Sequence, residues 1–212
     1  MEKNKKIILI TIIAVIVIIA IVTLVIVLNK NSKIQKVSKT TTIYQDLKNK
    51  ESYTFEAILN NKNKLEYLKN NNMSYVNTTT EGTETKYITK EGNKYLIKDS
   101  IEKYYKYQNN ETDLGKIENQ FSKLKDLEYT EGKETIENKK YSYEEFDAFT
   151  DLVFKNFSES ELKNAKTRLY YNGNKLAYIK TIIGDYEELL KITITDNVNS
   201  NLFEIPSNYQ EG

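Results

Sequence analysis

Glu144, Glu145 and Asp147 form the densest group of side chains in this chain that could move a proton. Two carboxylates held at a fixed separation can act as acid and base in glycoside hydrolysis. Neighbouring residues of a strand point to opposite faces, however, so Glu144 and Glu145 are predicted to part rather than pair. Calcium asks for an oxygen-rich loop of the Asp-x-Asp-x-Asp-Gly kind, and the sequence contains none. It contains no His and no Cys either. That excludes a Ser-His-Asp triad, a Cys-His nucleophile and a zinc site built on imidazole or thiolate. The residues predict a protein that is not an enzyme and carries no cofactor or metal.

What remains for binding is aromatic and apolar surface. Tyr104, Tyr105 and Tyr107 cluster in one segment, and Tyr141 and Tyr143 in another. Tyr can stack on sugars or sit at an interface with its hydroxyl exposed, and its strand propensity alone also gathers it into sheets. Phe55, Ala57 and Leu59 alternate in one segment, and Ile117, Phe121 and Leu124 recur at helical spacing in another. These six are the candidate ligand-lining residues, facing a cavity between sheet and helix. Their pattern equally describes an ordinary core, because apolar alternation predicts burial in both cases.

The elements that must position them begin with an unbroken apolar run over residues 7–28, interrupted only by Thr11 and Thr23. About 22 residues at roughly 1.5 Å each give a helix long enough for a hydrocarbon core of roughly 30 Å. The run is too long for a cleaved signal peptide, lacks an A-x-A site and precedes no lipoprotein Cys. It reads as an uncleaved transmembrane signal anchor with a cytoplasmic tail over 1–6 and a polar juxtamembrane stalk over 29–41. Lysines flank both sides, Lys3, Lys5 and Lys6 before and Lys30, Lys33, Lys36 and Lys39 after. Long following domains translocate largely regardless of such charges. The expectation is therefore a single-pass membrane protein whose 42–212 domain is extracytoplasmic. A formal net charge of +1, with both signs interspersed, carries no basic footprint for nucleic acid.

Beyond the stalk, Thr42 with Gln45 fits a capping box, and Ile43, Tyr44 and Leu47 give a short helix an apolar side. From Ser52 the period becomes two, and strand candidates follow at 64–69, 73–80, 84–89, 94–98 and 103–108. Glu81-Gly82 and Glu91-Gly92-Asn93 supply the turns between them. The stripe Leu114, Ile117, Phe121, Leu124 and Leu127, opened by Asp113, predicts an amphipathic helix. Strands resume at 129–137 and 140–149. Residues 152–157 are apolar and ambiguous, and Ser158 with Glu161 caps a brief helix. Asn172-Gly173-Asn174 marks a hairpin between 167–171 and 175–183. Residues 188–195 alternate, and 202–205 form a last short strand closed by Pro206. The fold class expected is α+β: an N-terminal transmembrane helix, then a strongly curved antiparallel sheet, or half-barrel, packed with a few short helices.

This order resembles the lipoprotein-carrier fold of the LolA, LolB and LppX type. The likeness is carried by Tyr53-Thr54-Phe55-Glu56-Ala57, by the hairpin Thr167-Arg168-Leu169-Tyr170-Tyr171-Asn172-Gly173-Asn174-Lys175-Leu176-Ala177-Tyr178-Ile179, and by Ile192-Thr193-Ile194-Thr195-Asp196 with Leu202-Phe203-Glu204-Ile205-Pro206. The resemblance implies a half-open barrel plugged by helices, with acyl chains held between. The partners it implies are the membrane and a lipid or acyl-chain ligand. A tethered chain is not a free shuttle, so the role implied is fixed lipid binding or lipid acceptance. The other reading is a surface module that binds an envelope protein through a sheet edge or its Tyr-rich face.

Overall fold

Strict alternation builds the first strand: Tyr53, Phe55 and Ala57 are buried, and Thr54, Glu56 and Ile58 take the opposite face. The same rule runs through the sheet. The computed structural model describes residues 37–108 and 117–212. Helix α1 (Lys39–Asn49) comes first. A meander follows, of β1 (Ser52–Asn60), β2 (Asn63–Asn70), β3 (Met73–Thr80), β4 (Thr83–Lys90), β5 (Asn93–Lys98) and β6 (Lys103–Gln108). After α2 (Ile117–Ser122) come β7 (Thr130–Ile136), β8 (Lys139–Phe146), α3 (Glu159–Leu162), β9 (Lys166–Asn172), β10 (Lys175–Ile183), β11 (Tyr186–Thr195) and β12 (Gln210–Glu211).

All twelve strands share one open sheet in the order β12-β6-β5-β4-β3-β2-β1-β11-β10-β9-β8-β7. The two meanders join at the centre, where β1 pairs antiparallel with both β2 and β11. Only the two-residue β12 runs parallel to its neighbour, β6. Tight turns keep the strands in register. At Glu81-Gly82 both residues have positive φ, the mirror-image turn whose twist matches a hairpin. Register shifts at Ile58/Asn60 and at Leu176/Tyr178 interrupt the ladders and are places where a sheet bends.

The expected fold class is corrected by this arrangement. The described residues are mostly one large open antiparallel sheet with few and short helices, not a helix-plugged α+β half-barrel. Among the described residues no helix is long and apolar enough to cross a membrane. The run over 7–28 lies outside the described residues, as do Asp113 and Leu114. Two local expectations also change. Residues Ser200–Phe203 form a 3-10 turn rather than a strand, because the Asn199 side chain accepts from the Asn201 amide and winds the backbone. Helix α1 starts at Lys39 with Ser38 as its cap, ahead of the Thr42 capping box. Thr42 instead donates its hydroxyl back to the Ser38 carbonyl.

Apolar groups collect on both sides of the sheet. On one face, α1 and α2 cover Tyr53, Phe55, Ala57, Tyr67, Leu169, Ile179 and Ile192. On the other, Phe203 and its flanking segment cover Leu68, Tyr75, Ile88, Tyr95 and Ile97. A third cluster joins Ile136, Tyr141, Tyr170 and Tyr178 on that second face.

Candidate ligand-binding site

The helix-covered face is organised by a carboxylate at one end of α1 and an ammonium at the other. Glu144, only 3% exposed, points from β8 at the helix N-terminus. It accepts from the Lys39 amide at 2.7 Å, the Thr40 amide at 3.0 Å, the Ser38 hydroxyl at 2.8 Å and the Thr40 hydroxyl at 2.7 Å. These are the donors a helix start leaves unsatisfied, and a negative charge is favoured there. Tyr171 shares the site, 2.7 Å from Thr40 Oγ1; burial, then the neighbouring Glu144, pushes its phenol well above the usual range. At the other end Lys69 Nζ lies 3.5 Å from the carbonyls of Leu47 and Lys48 and 2.9 Å from Glu118 Oε1. Thr41 Oγ1 donates to the Lys125 carbonyl at 2.8 Å, which ties α1 to the turn after α2.

Glu144 and Glu145 do part. Glu145 sits on the opposite face, where it accepts from Arg168 Nε at 2.8 Å and Nη2 at 2.5 Å. Arg168 also reaches Glu134 at 2.5 Å and lies 4.3 Å from the centroid of the Tyr143 ring. Burial raises the Glu145 pKa, but Arg168 and Lys166 outweigh it and the net shift is downward. Glu134 is held low by the Tyr170 hydroxyl first and by Lys180 and Arg168 after it. Asp147 pairs with Lys166 at 3.0 Å on the surface. The three acids are thus spent on a helix cap, an Arg clamp and a surface pair.

The six candidate lining residues divide. Phe55, Ile117, Phe121 and Leu124 fill the core beneath the helices, with Phe55 and Phe121 edge to face at 6.3 Å. Leu59 is half-buried and packs against that core. Ala57, fully buried in the same cluster, also floors a cavity of about 350 Å³. Leu65 and Leu190 complete the floor, and Leu152, Val153 and Phe154 form its roof. Thr78, the cross-strand partner of Leu65, and Thr80 line it from the sheet, and Asp151 and Asn156 from the covering segment.

That roof is the segment over 151–156, and it is fastened at both ends. The Asp151 amide donates to Gln120 Oε1 at 2.9 Å, and its carboxylate takes Lys123 at 2.7 Å. The Phe154 amide donates to the buried Glu188 at 3.1 Å, and Tyr186 OH to the same carboxylate at 2.6 Å. Burial, then Glu188, raises the Tyr186 phenol to about 12. Thr150 and Thr181, both nearly fully buried, have hydroxyls with no partner among the described residues. Leu65, Leu152, Val153, Phe154 and Leu190 were not among the expected lining residues. The apolar but irregular 152–157 was the available signal, because a non-periodic apolar stretch between elements has to cover something.

A larger hollow of about 570 Å³ lies on the opposite face, over β1, β2 and β11. It is open, and Leu68, Val198 and Leu202 line it together with hydroxyls, amides and the carboxylates of Glu56 and Glu66. Those two acids stand opposite each other across β1 and β2. Burial first, and then Glu56, raises the Glu66 pKa. The Tyr clusters do not converge on either hollow. Tyr104 packs edge to face on Tyr95, Tyr141 on Tyr178 and Tyr143 on Tyr170, while Tyr107 is 50% exposed on β6.

No protein-family model and no curated protein matches the chain. Among solved structures it is similar to LprF from Mycobacterium bovis, at 13% identity and TM-score 0.45, over 81% of this chain and 98% of that one. It is also similar to an uncharacterized conserved protein from Thermus thermophilus, at 8% identity and TM-score 0.45, over 82% and 98% of the two chains. A third is the lipoprotein LppX from Mycobacterium tuberculosis, at 9% identity and TM-score 0.42, over 76% and 96%. The LppX-type likeness read from the sequence is met by these neighbours.

Proposed function

We propose that the chain is a non-enzymatic binder of a hydrophobic ligand, held between the sheet and the segment over 151–156. The observation that carries this reading is the cavity of about 350 Å³ that brings Ala57, Leu65, Leu190, Leu152, Val153 and Phe154 to one place. Its size falls in the range of roughly 300–1,000 Å³ typical of small-molecule sites, and its walls set those apolar side chains beside Thr78, Thr80, Asp151 and Asn156. A lipid or acyl chain is the ligand class that fits an envelope setting. The apolar run over 7–28 supports that setting by length and composition, as a membrane tether with an extracytoplasmic domain.

The experiment is solvent extraction of the natively purified full chain, followed by mass spectrometry of the extract. A stoichiometric hydrophobic compound, depleted by Ala57→Leu, is the expected result. An extract no richer than that of an unrelated single-span protein purified alongside would overturn the reading. A second reading, an interaction module with an ordinary core, draws on the four candidate residues that fill close-packed space and on β7, which among the described residues ends the sheet with one edge unpaired in the ladder.

A further inference from the structure

The apolar row on the helix-covered face continues past its cover. Phe55 on β1 stands opposite Tyr67 on β2, and the row runs on in register through Val76, Tyr87, Leu96 and Tyr105 on β3 to β6. Phe55 and Tyr67 are buried in the core beneath the helices, and Val76 is half-buried against it. Tyr87, Leu96 and Tyr105 are half-buried and belong to none of the three apolar clusters. The opposite face of these strands is closed, with Tyr75, Ile88, Tyr95 and Ile97 buried.

The charges beside this row have one sign. Lys98 and Lys103 stand opposite each other on one side of it, and Lys94, opposite Tyr107, stands on the other. Alternation puts all three on the face of Leu96 and Tyr105. Lys94 Nζ lies 4.4 Å from the centroid of the Tyr87 ring. Within β3 to β6 the single acid is Glu84. It sits on the other face, 2.9 Å from Lys86. Glu81, Glu91 and Glu102 stand in the turns. Lys94, Lys98 and Lys103 make no ion pair among the described residues, where the ion pairs of β4 belong to Lys86 and Lys90 on the other face.

We propose that this face of β3 to β6 binds an anionic polysaccharide, a chain of sugar acids laid across the strands. Tyr87 and Tyr105 are two strands apart, or ~9–10 Å, which matches the repeat of two sugars in an extended chain. An aromatic ring offers an apolar surface to the C–H face of a sugar. The pairs Thr78–Thr85 and Ser74–Thr89 flank the row, with hydroxyls that donate and accept as sugar hydroxyls do. The lysines answer the carboxylates. Other occupants fit less well. A second copy would bring lysine against lysine. Nucleic acid is drawn by a stronger basic field than a net charge of +1 supplies. An extended peptide takes its hydrogen bonds from a strand edge, and this is a sheet face. A bilayer interface takes an apolar face that sinks into it, whereas Val76, Tyr87 and Leu96 are half-buried between strands. The surface meets the hollow beneath 151–156 at Thr78, and the proposal stands whether or not that hollow takes a ligand.

The test is lysine acylation of the full chain in uncharged phosphatidylcholine nanodiscs, read residue by residue by mass spectrometry, with Lys64 on the opposite face as the internal control. Polymannuronate is expected to slow acylation at Lys94, Lys98 and Lys103 and to leave Lys64 unchanged, with protection that fades as salt is added. Tyr87→Leu and Tyr105→Leu each raise the polymer concentration needed by roughly three- to tenfold. Equal protection by polyglutamate or oligothymidylate of the same charge overturns the sugar assignment. Protection by phosphatidylglycerol nanodiscs without polymer makes the occupant a membrane and overturns it as well. So does a Lys98 that already reacts far more slowly than Lys64 in the free chain, because the face is then covered by the protein itself. No protection by polymannuronate at low salt also overturns the proposal, and none of these outcomes bears on the hydrophobic-ligand reading.

Discussion

Replacing Glu144 by Ala removes the acceptor of the Lys39 and Thr40 amides and of the Ser38 hydroxyl in a buried place, leaving Thr40 Oγ1 only Tyr171. The expected loss is about 3 kcal/mol, from unsatisfied buried donors and a missing helix cap, and urea denaturation measures it. Glu144→Gln, which keeps an acceptor, costs less. The Arg168 clamp carries a pH dependence of defined sign. Glu134 and Glu145 both have depressed folded pKa values. They stabilise the fold above the ordinary glutamate range near ~4.3, and that contribution is lost as pH falls through their lowered values. Arg168→Gln is therefore expected to lower the urea midpoint at pH 7, by a difference that shrinks as pH falls through those lowered values. Gly132 lies beneath the Tyr143 ring, where an added Cβ would collide with it. Gly132→Ala should cost about 1–3 kcal/mol by displacing a ring that Arg168 stacks on, again read from denaturation.

At the scale of elements, α1 and α2 act as one cover. Phe121→Ala is expected to cost about 3–5 kcal/mol and to raise amide exchange in α1 and α2 before the β9–β10 hairpin, as native-state exchange would show. The hairpins were readable because their signals are local: two-residue turns and strict alternation place β2 to β5, β9 and β10 within a residue or two. Helix α1 was not readable at its start. Its cap is completed by Glu144, 106 residues away from Ser38, and no window around Thr42 contains that carboxylate. The 202–205 segment misled for a similar reason, since its apolar residues cover a sheet face from outside rather than pairing within it.

For the whole molecule, the sequence showed a long meander, a helix and then hairpins around a second brief helix, but not how the two halves join. The pairing of β1 with β11 links Thr54 to Thr195, and nothing periodic in either strand names the other as partner. One open sheet therefore replaced the expected half-barrel. The cavity was half legible. Ala57 announced itself by alternation, whereas the roof over 151–156 has no period to detect. The chain contains no Trp, so Phe154→Trp places a sole indole in that roof, and Tyr107→Trp places one on the open surface of β6. Both are titrated in nanodiscs with a straight-chain fatty acid brominated near its methyl end. Saturable quenching of the residue 154 indole at one chain per protein, with no more than bilayer-level quenching at 107, is the outcome expected of a ligand site beneath the roof. Equal, non-saturating quenching at the two positions would contradict it.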